Sequence, residues 1–288
     1  MNVVRAVVAR CRTVGRMERR PDRAARRPQP AAARGVRPPA RREAAPPERL
    51  TLRNPHSVLA VLDARPADLL EVRLPDGEGA AAWREVTERA RARGIRVRGL
   101  DAGGGREVER ARGGGRTGAE ADIRPRRRAT LATLFESPGE GDRWIALDGV
   151  QDPHNVGAIF RTAAFFGARG LVTTADRAAP LSAVVYDVAS GGVEAVPHAV
   201  ETNLRRALDA AKAAGVWVLG TSEHAAKPLA EVPRDRPWLV VLGNEEAGLR
   251  RLVLESCDEV CAVPPRGEVV TSLNVSVAAG ILLAALAG

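Results

Sequence analysis

From Trp144 onward the chain repeats one unit: a short apolar run, a break rich in glycine and polar side chains, then a longer apolar segment at helical spacing. Trp144-Ile145-Ala146-Leu147 is the first run. Residues 156–166 follow as a helix, stopped by Gly167, and Gly170-Leu171-Val172-Thr173-Thr174 is the next strand. Further strands are expected over 216–220 and 238–242. Strands that alternate with helices predict an α/β fold, with a mostly parallel sheet covered on both faces. In such sheets ligands bind in the crevice at the carboxyl ends of the strands. The breaks that follow the strands are therefore the places to look for chemistry. The apolar stretch 277–287 falls short of the roughly 18 residues of a membrane span, so it is expected to be a buried C-terminal helix.

Three further segments precede this half. Residues 1–50 carry 14 arginines against 4 acidic residues, with many prolines, a composition that predicts a disordered basic tail. Arg5 interrupts its opening apolar stretch, unlike the core of a secretory signal. The tail has no serine, unlike a transit peptide, and Met17 is an alternative start. Residues 51–128 read as a small α/β domain. Its helix starts at Pro55-His56-Ser57-Val58, a strand covers 69–74, a helix covers 80–93 with Gly94 as its stop, and a strand covers 95–98. Glycine triplets at 103–105 and 113–115 mark a flexible region. Residues 129–143, after the arginine-rich 124–128, form a linker that includes a helix over 129–134. The remainder, 144–288, is one domain.

Net charge divides along the same lines. The whole chain is +9, yet residues 131–288 hold 13 basic against 19 acidic residues. Attraction for a polyanion must come from the earlier segments. The three cysteines Cys11, Cys257 and Cys261 form no disulfide framework and no zinc set, which suits buried thiols in a reducing cytoplasm.

Three breaks stand out. The first is the run from Leu147 to Ala163, LDGVQDPHNVGAIFRTA. Here Asn155 is expected to cap the helix that follows. Arg161, on an apolar helix, needs an anion, an interhelix salt bridge or an exit to solvent. The second runs from Val240 to Leu249, VVLGNEEAGL: Leu242 leads into Gly243, Asn244 and Glu245, with Gly248 behind. Gly243 would let backbone come close to a ligand, although an ordinary capped turn fits as well. The third, VPPRGEVVTSLNVSVAAG, begins at Val263 and passes Gly267 to reach Ser272, Leu273 and Asn274 at the start of an apolar helix. Capping accounts for the last of these too.

Together, in this order, the three segments resemble the sequence motifs of the SpoU/TrmH family of RNA ribose 2′-O-methyltransferases. The resemblance covers about Trp144 to the C-terminus. It implies a deep trefoil knot, S-adenosyl-L-methionine as cofactor, and a homodimer whose interface lies against the cofactor site. By motif position it implies catalytic or structural polar roles for Asn155, Arg161, Glu245, Ser272 and Asn274. Leu242, Gly243, Gly248, Val263, Gly267 and Leu273 would surround the cofactor. Four residues separate Gly267 from Ser272, where the family pattern has three. The middle domain resembles, more weakly, the L30e-like RNA-binding domain of rRNA-modifying members. Asn54 stands where that domain has Gly, and Arg116-Thr117-Gly118 where it has His-Gln-Gly.

The expected reaction is methyl transfer to a ribose 2′-hydroxyl of structured RNA, with rRNA favoured over tRNA by the two-domain layout, in the cytoplasm and away from membranes. Alternatives are a tRNA ribose methyltransferase and a non-catalytic RNA-binding or ribosome-assembly protein.

Overall fold

The computed structural model describes residues 48–75, 81–99 and 118–287. The tail reading, up to residue 47, and both glycine triplets lie outside them.

Among the described residues two sheets are present. The large one is parallel throughout its seven strands. In chain order these are β5 (Arg143–Asp148), β6 (Gly170–Thr174), β7 (His198–Glu201), β8 (Trp217–Thr221), β9 (Lys227–Pro228), β10 (Trp238–Gly243) and β11 (Glu259–Ala262), arranged β7-β6-β5-β10-β8-β11-β9. The mostly parallel α/β sheet expected from the rhythm of apolar runs is what forms.

Because strand side chains alternate between faces, the sheet sorts its own core. Ile145, Leu147, Leu171, Leu219, Val240 and Leu242 point into one apolar cluster. Trp144, Ala146, Val172, Val218, Leu239 and Val241 point into the other. The first face is covered by α4 (Pro153–Phe165), α5 (Ala183–Ala189), α6 (Gly192–Ala195) and the C-terminal α9 (Val275–Leu286). The second is covered by α3 (Leu131–Leu134), α7 (Leu204–Ala213) and α8 (Arg251–Leu254). Arg143, almost wholly buried, fastens the end of α9 by donating to the Leu286 carbonyl at 2.7 Å, and also reaches the carbonyls of Arg234 and Arg236.

The small sheet has the order β1-β4-β2-β3, from β1 (Leu50–Leu52), β2 (Leu69–Leu74), β3 (Arg96–Gly99) and β4 (Glu120–Ile123). It carries α1 (Pro55–Ala64) and α2 (Ala81–Ala92). Strand β1 starts at Leu50, within the segment read as tail, and pairs antiparallel with β4. The linker helix is shorter than expected: Thr130 caps it at its N-terminus, and residues 124–129 are not helical.

The apolar core of the small sheet is continuous with the first face of the large one. Polar contacts reinforce that junction. The Asp187 carboxylate accepts the backbone N–H groups of Arg53 and Asn54, each near 3 Å. Arg65 donates to both oxygens of the buried Glu194, each at 2.8 Å. Burial works against the Arg65 charge, but its bonds to Glu194 and Asp68 outweigh this and raise the guanidinium above its ordinary value.

His198 sits in this region, 1% exposed, with Nδ1 unpartnered. Burial first, then the charges of Arg126, Arg128 and Arg65, push it down from 6.5 to about 4. The unfolded chain binds a proton that the folded chain refuses between those values, so stability falls as pH drops from about 6.5 toward 4 and levels off below. The shift corresponds to a loss on the order of 3 kcal/mol. Thermal unfolding across pH 4–8 should show this slope, and His198→Asn should flatten it. An unchanged slope in the variant would show that His198 is not its source.

Candidate active site

The pairing of β5 with β10 sets Leu147 beside Leu242 and Asp148 beside Gly243. The first and second motifs therefore emerge side by side at the carboxyl end of the sheet, though roughly 95 residues apart in sequence. The third arrives from β11, through an irregular loop that ends at α9.

Hydrogen bonds join the three. Asn155 Nδ2 donates to Glu245 Oε1 at 2.7 Å, and Asn274 Nδ2 donates to Asn155 Oδ1 at 3.0 Å. Asn274 also caps α9, its Oδ1 accepting from Ser276 N at 2.8 Å. Capping and linking the motifs are thus two uses of one side chain. Asn155 is not the cap of α4. Asp152 takes that role, accepting from His154 N at 2.9 Å, with Pro153 in the first helical turn. Proline there has no N–H to satisfy, so the helix starts earlier than expected. Asn155 falls inside the first turn with its amide free to bridge.

Beneath this rim an ion pair, buried at its Asp148 end, holds the second motif to the first. Asp148, whose side chain is fully buried, accepts from Arg250 Nε at 2.6 Å and from the Arg250 backbone N–H at 2.9 Å. Between them Asn244 closes a tight turn by exchanging backbone hydrogen bonds with Gly248. Its Nδ2 donates to the Gly149 carbonyl at 3.0 Å. The turn itself requires glycine at 243: a Cβ there would lie 2.2 Å from the Gly248 carbonyl carbon, so the turn's own backbone needs the space. Gly248 adopts φ +64°, a conformation that favours glycine.

The turn and the loop of the third motif border a cavity of about 680 Å³. Leu242, Gly243, Glu245, Gly248, Val263, Ser272 and Leu273 line it. Gly267 does not; it lies on the outer part of the loop with open space around it. Asn155 and Asn274 sit at the rim through their bonds to Glu245 and to each other. Arg161 stands apart. Six residues after Asn155, it is turned roughly 120° around α4, exposed, and without a hydrogen bond or ion pair to another described residue. Asn155, bonded to Glu245 and Asn274, makes no hydrogen bond to Arg161. Sequence reasoning missed the contribution of β8, whose end supplies Thr221, Ser222 and His224 to the cavity. The signal was present: a polar run directly after a predicted apolar strand.

Comparison with known proteins places the chain in a family. Residues 142–284 match the model of the SpoU rRNA Methylase family. A 23S rRNA (guanosine-2'-O-)-methyltransferase RlmB of Coxiella burnetii is 35% identical over 228 residues, which cover 79% of this chain and 91% of that protein.

The chain belongs to the SpoU rRNA methylase family.

Another relative in this family, the 23S rRNA (guanosine-2'-O-)-methyltransferase RlmB of Nitrosomonas europaea, is 48% identical over 158 residues, 55% of this chain and 60% of that protein. The fold matches the AdoMet-bound rRNA methyltransferase of Sinorhizobium meliloti with a TM-score of 0.67, at 24% identity and covering 83% of this chain and 87% of that one. Within the family frame, the Asp148–Arg250 pair tests whether the turn is held from below. Asp148→Asn removes the charge that Arg250 binds and should cost about 2 kcal/mol. That lowers the melting temperature by roughly 4–8 °C for a chain of this size. A melting temperature within a degree of wild type would contradict the role given to the pair.

Proposed function

We propose that this chain transfers a methyl group from S-adenosyl-L-methionine to a ribose 2′-hydroxyl of structured RNA, with 23S rRNA as the substrate class. The observation that carries the reading is the Glu245–Asn155–Asn274 linkage, which unites all three motifs at the rim of one cavity. Family membership and the similarity to 23S rRNA methyltransferases support the choice of rRNA over tRNA.

The cavity suits the cofactor. Its volume falls within the roughly 300–1,000 Å³ of small-molecule sites. Leu242, Val263 and Leu273 offer apolar wall for a purine, and the turn from Gly243 to Gly248 brings backbone to the surface. These residues would hold S-adenosyl-L-methionine, which when bound supplies an electrophilic methyl group.

The chain's own side chains do the rest. A ribose hydroxyl is a weak nucleophile without a base or a positive field. A guanidinium is a poor base in proteins, so the part of Arg161 is to clamp an RNA phosphate and stabilise the developing alkoxide, with the phosphate helping to take the proton. Glu245, Asn155 and Asn274 hold the loops that border the cavity, and Ser272, exposed on the cavity wall, is available to the substrate.

The finer architecture belongs to the same proposal. Residues 144–288 form the transferase domain with a trefoil knot, 129–143 the linker, and 51–128 an L30e-like RNA-binding domain. Self-association as a homodimer is supported by exposed apolar side chains on α4 and α9: Phe165 at 82%, Val277 at 50% and Ile281 at 37%. The two helices meet where Gly280 faces Thr162, next to Arg161. A second copy against this face would supply the neighbours that Arg161 lacks within one chain. An rRNA substrate sets the work in the cytoplasm, and among the described residues no helix is long and apolar enough to cross a membrane.

Arg161→Ala should slow methyl transfer at least about 100-fold, by analogy with the loss of one oxyanion donor, while calorimetry shows unchanged affinity for S-adenosyl-L-methionine. Near-normal turnover with intact cofactor binding would sink the assignment.

A further inference from the structure

Five arginines share a groove away from the cavity. It encloses about 860 Å³, and its wall includes Arg49, Arg124, Arg126, Arg127 and Arg128, with Glu48 as its one acidic residue. Four of the five belong to a segment that is pinned at intervals. Arg124 N–H donates to the Asp68 carbonyl at 2.8 Å, Arg126 N–H to the Tyr186 hydroxyl at 2.8 Å, and Ala129 N–H to the His198 carbonyl at 2.7 Å. The Arg126 guanidinium turns inward to the carbonyls of Val193 and Val196, and burial lowers it from its ordinary value. It serves as an anchor.

Its neighbours face outward. The side chains of Arg49 and Arg124 are 58% and 59% exposed. Arg49 stands 3.1 Å from Asp122, and Arg124 3.8 Å from Asp68. Arg124 also donates from Nη1 to the Ala67 carbonyl at 3.2 Å; both guanidiniums are engaged through Nη1, which leaves their other N–H donors for a ligand. Arg127 is exposed and makes no hydrogen bond or ion pair with another described residue. Guanidinium forks fixed on a rigid backbone suit phosphate oxygens.

The groove's position matters as much as its charge. Ala129 bonds to His198, the first residue of β7, and β7 runs parallel to the strands that end at the cavity. This end of the segment therefore lies at the amino end of the sheet, opposite the cavity. The six residues of β5 alone separate those ends by about 20 Å. The groove also lies outside residues 142–284, which the family model matches, whereas residues 131–288 are net acidic.

We propose that this groove is a phosphate-backbone dock, engaging a folded RNA at a point remote from the nucleotide that is methylated. The inference rests on the RNA methyltransferase reading. It adds that the substrate must be a folded RNA long enough to touch both ends of the sheet, held at one end by contacts that position without reading sequence.

The test uses the full chain carrying Arg124→Gln and Arg127→Gln together, both at exposed positions. The control carries Arg205→Gln and Arg206→Gln, which removes the same charge from exposed positions on α7. Filter binding of a folded 23S rRNA transcript is measured over a range of KCl, and S-adenosyl-L-methionine binding by calorimetry. Loss of two phosphate contacts should weaken transcript binding on the order of tenfold at moderate salt and reduce the slope of log K against log salt by about 2. Cofactor affinity should not change, and the control should bind the transcript like wild type. Wild-type affinity and slope in the groove variant would overturn the inference. So would an equal loss in the control, since general charge would then explain the effect. A wild-type chain that neither binds nor methylates the transcript would instead overturn the RNA methyltransferase reading beneath it.

Discussion

The parallel pairing of β5 with β10 is the constraint on which the rest of the site depends. It joins segments roughly 95 residues apart in sequence and aligns Asp148 with Gly243. Every later feature follows from that register. Asp148 is placed to take Arg250, the turn from Asn244 to Gly248 folds over the strand ends, and Glu245 comes within reach of Asn155. A slip of one residue would turn each side chain to the other face. The separation of the two apolar clusters, Ile145 and Leu147 on one side and Trp144 and Ala146 on the other, opposes such a slip.

The site's polar groups act at two depths. The Asp148 carboxylate is buried and bound by Arg250, so it fixes position and is shielded from solvent. Above it, Asn155, Glu245 and Asn274 share hydrogen bonds at a partly exposed rim where a substrate can approach. Arg161 belongs to neither layer. Its exposed place beside the apolar face of α4 and α9 is what ties the proposed chemistry to self-association.

How much of this was legible in the sequence depends on the range of the interaction concerned. The β5, β6, β8 and β10 strands and the α9 helix announce themselves through local apolar runs, and the three motifs lie where those runs break. Strands β1 and β4 do not. Leu50-Thr51-Leu52 is short and follows a basic, proline-rich stretch, and β4 places the acidic Asp122 inward. That burial is possible because Arg73 and Thr51, distant in sequence, bind the carboxylate. Asn155 looked like a cap because asparagine often is one; Asp152 and Pro153, just before it, start the helix sooner. That Gly243 is also required by the turn was not legible, since nothing in one dimension shows that the Gly248 backbone returns to within a Cβ's reach. The spacing of Asn155 and Arg161 was visible, but the angle it implies around α4 gained meaning once Asn155 had other partners.

Charge and chemistry are divided between segments of the chain: the half that carries the cavity is net acidic, and the arginines gather before it. Nucleoside mass spectrometry of a 23S rRNA transcript, incubated with the protein and S-adenosyl-L-methionine and then digested, tests the central claim most directly. The expected product is a single nucleoside carrying the new methyl group on its ribose 2′-oxygen. A methyl group found on a base, or no methylated nucleoside from protein that binds both the transcript and the cofactor, would contradict it.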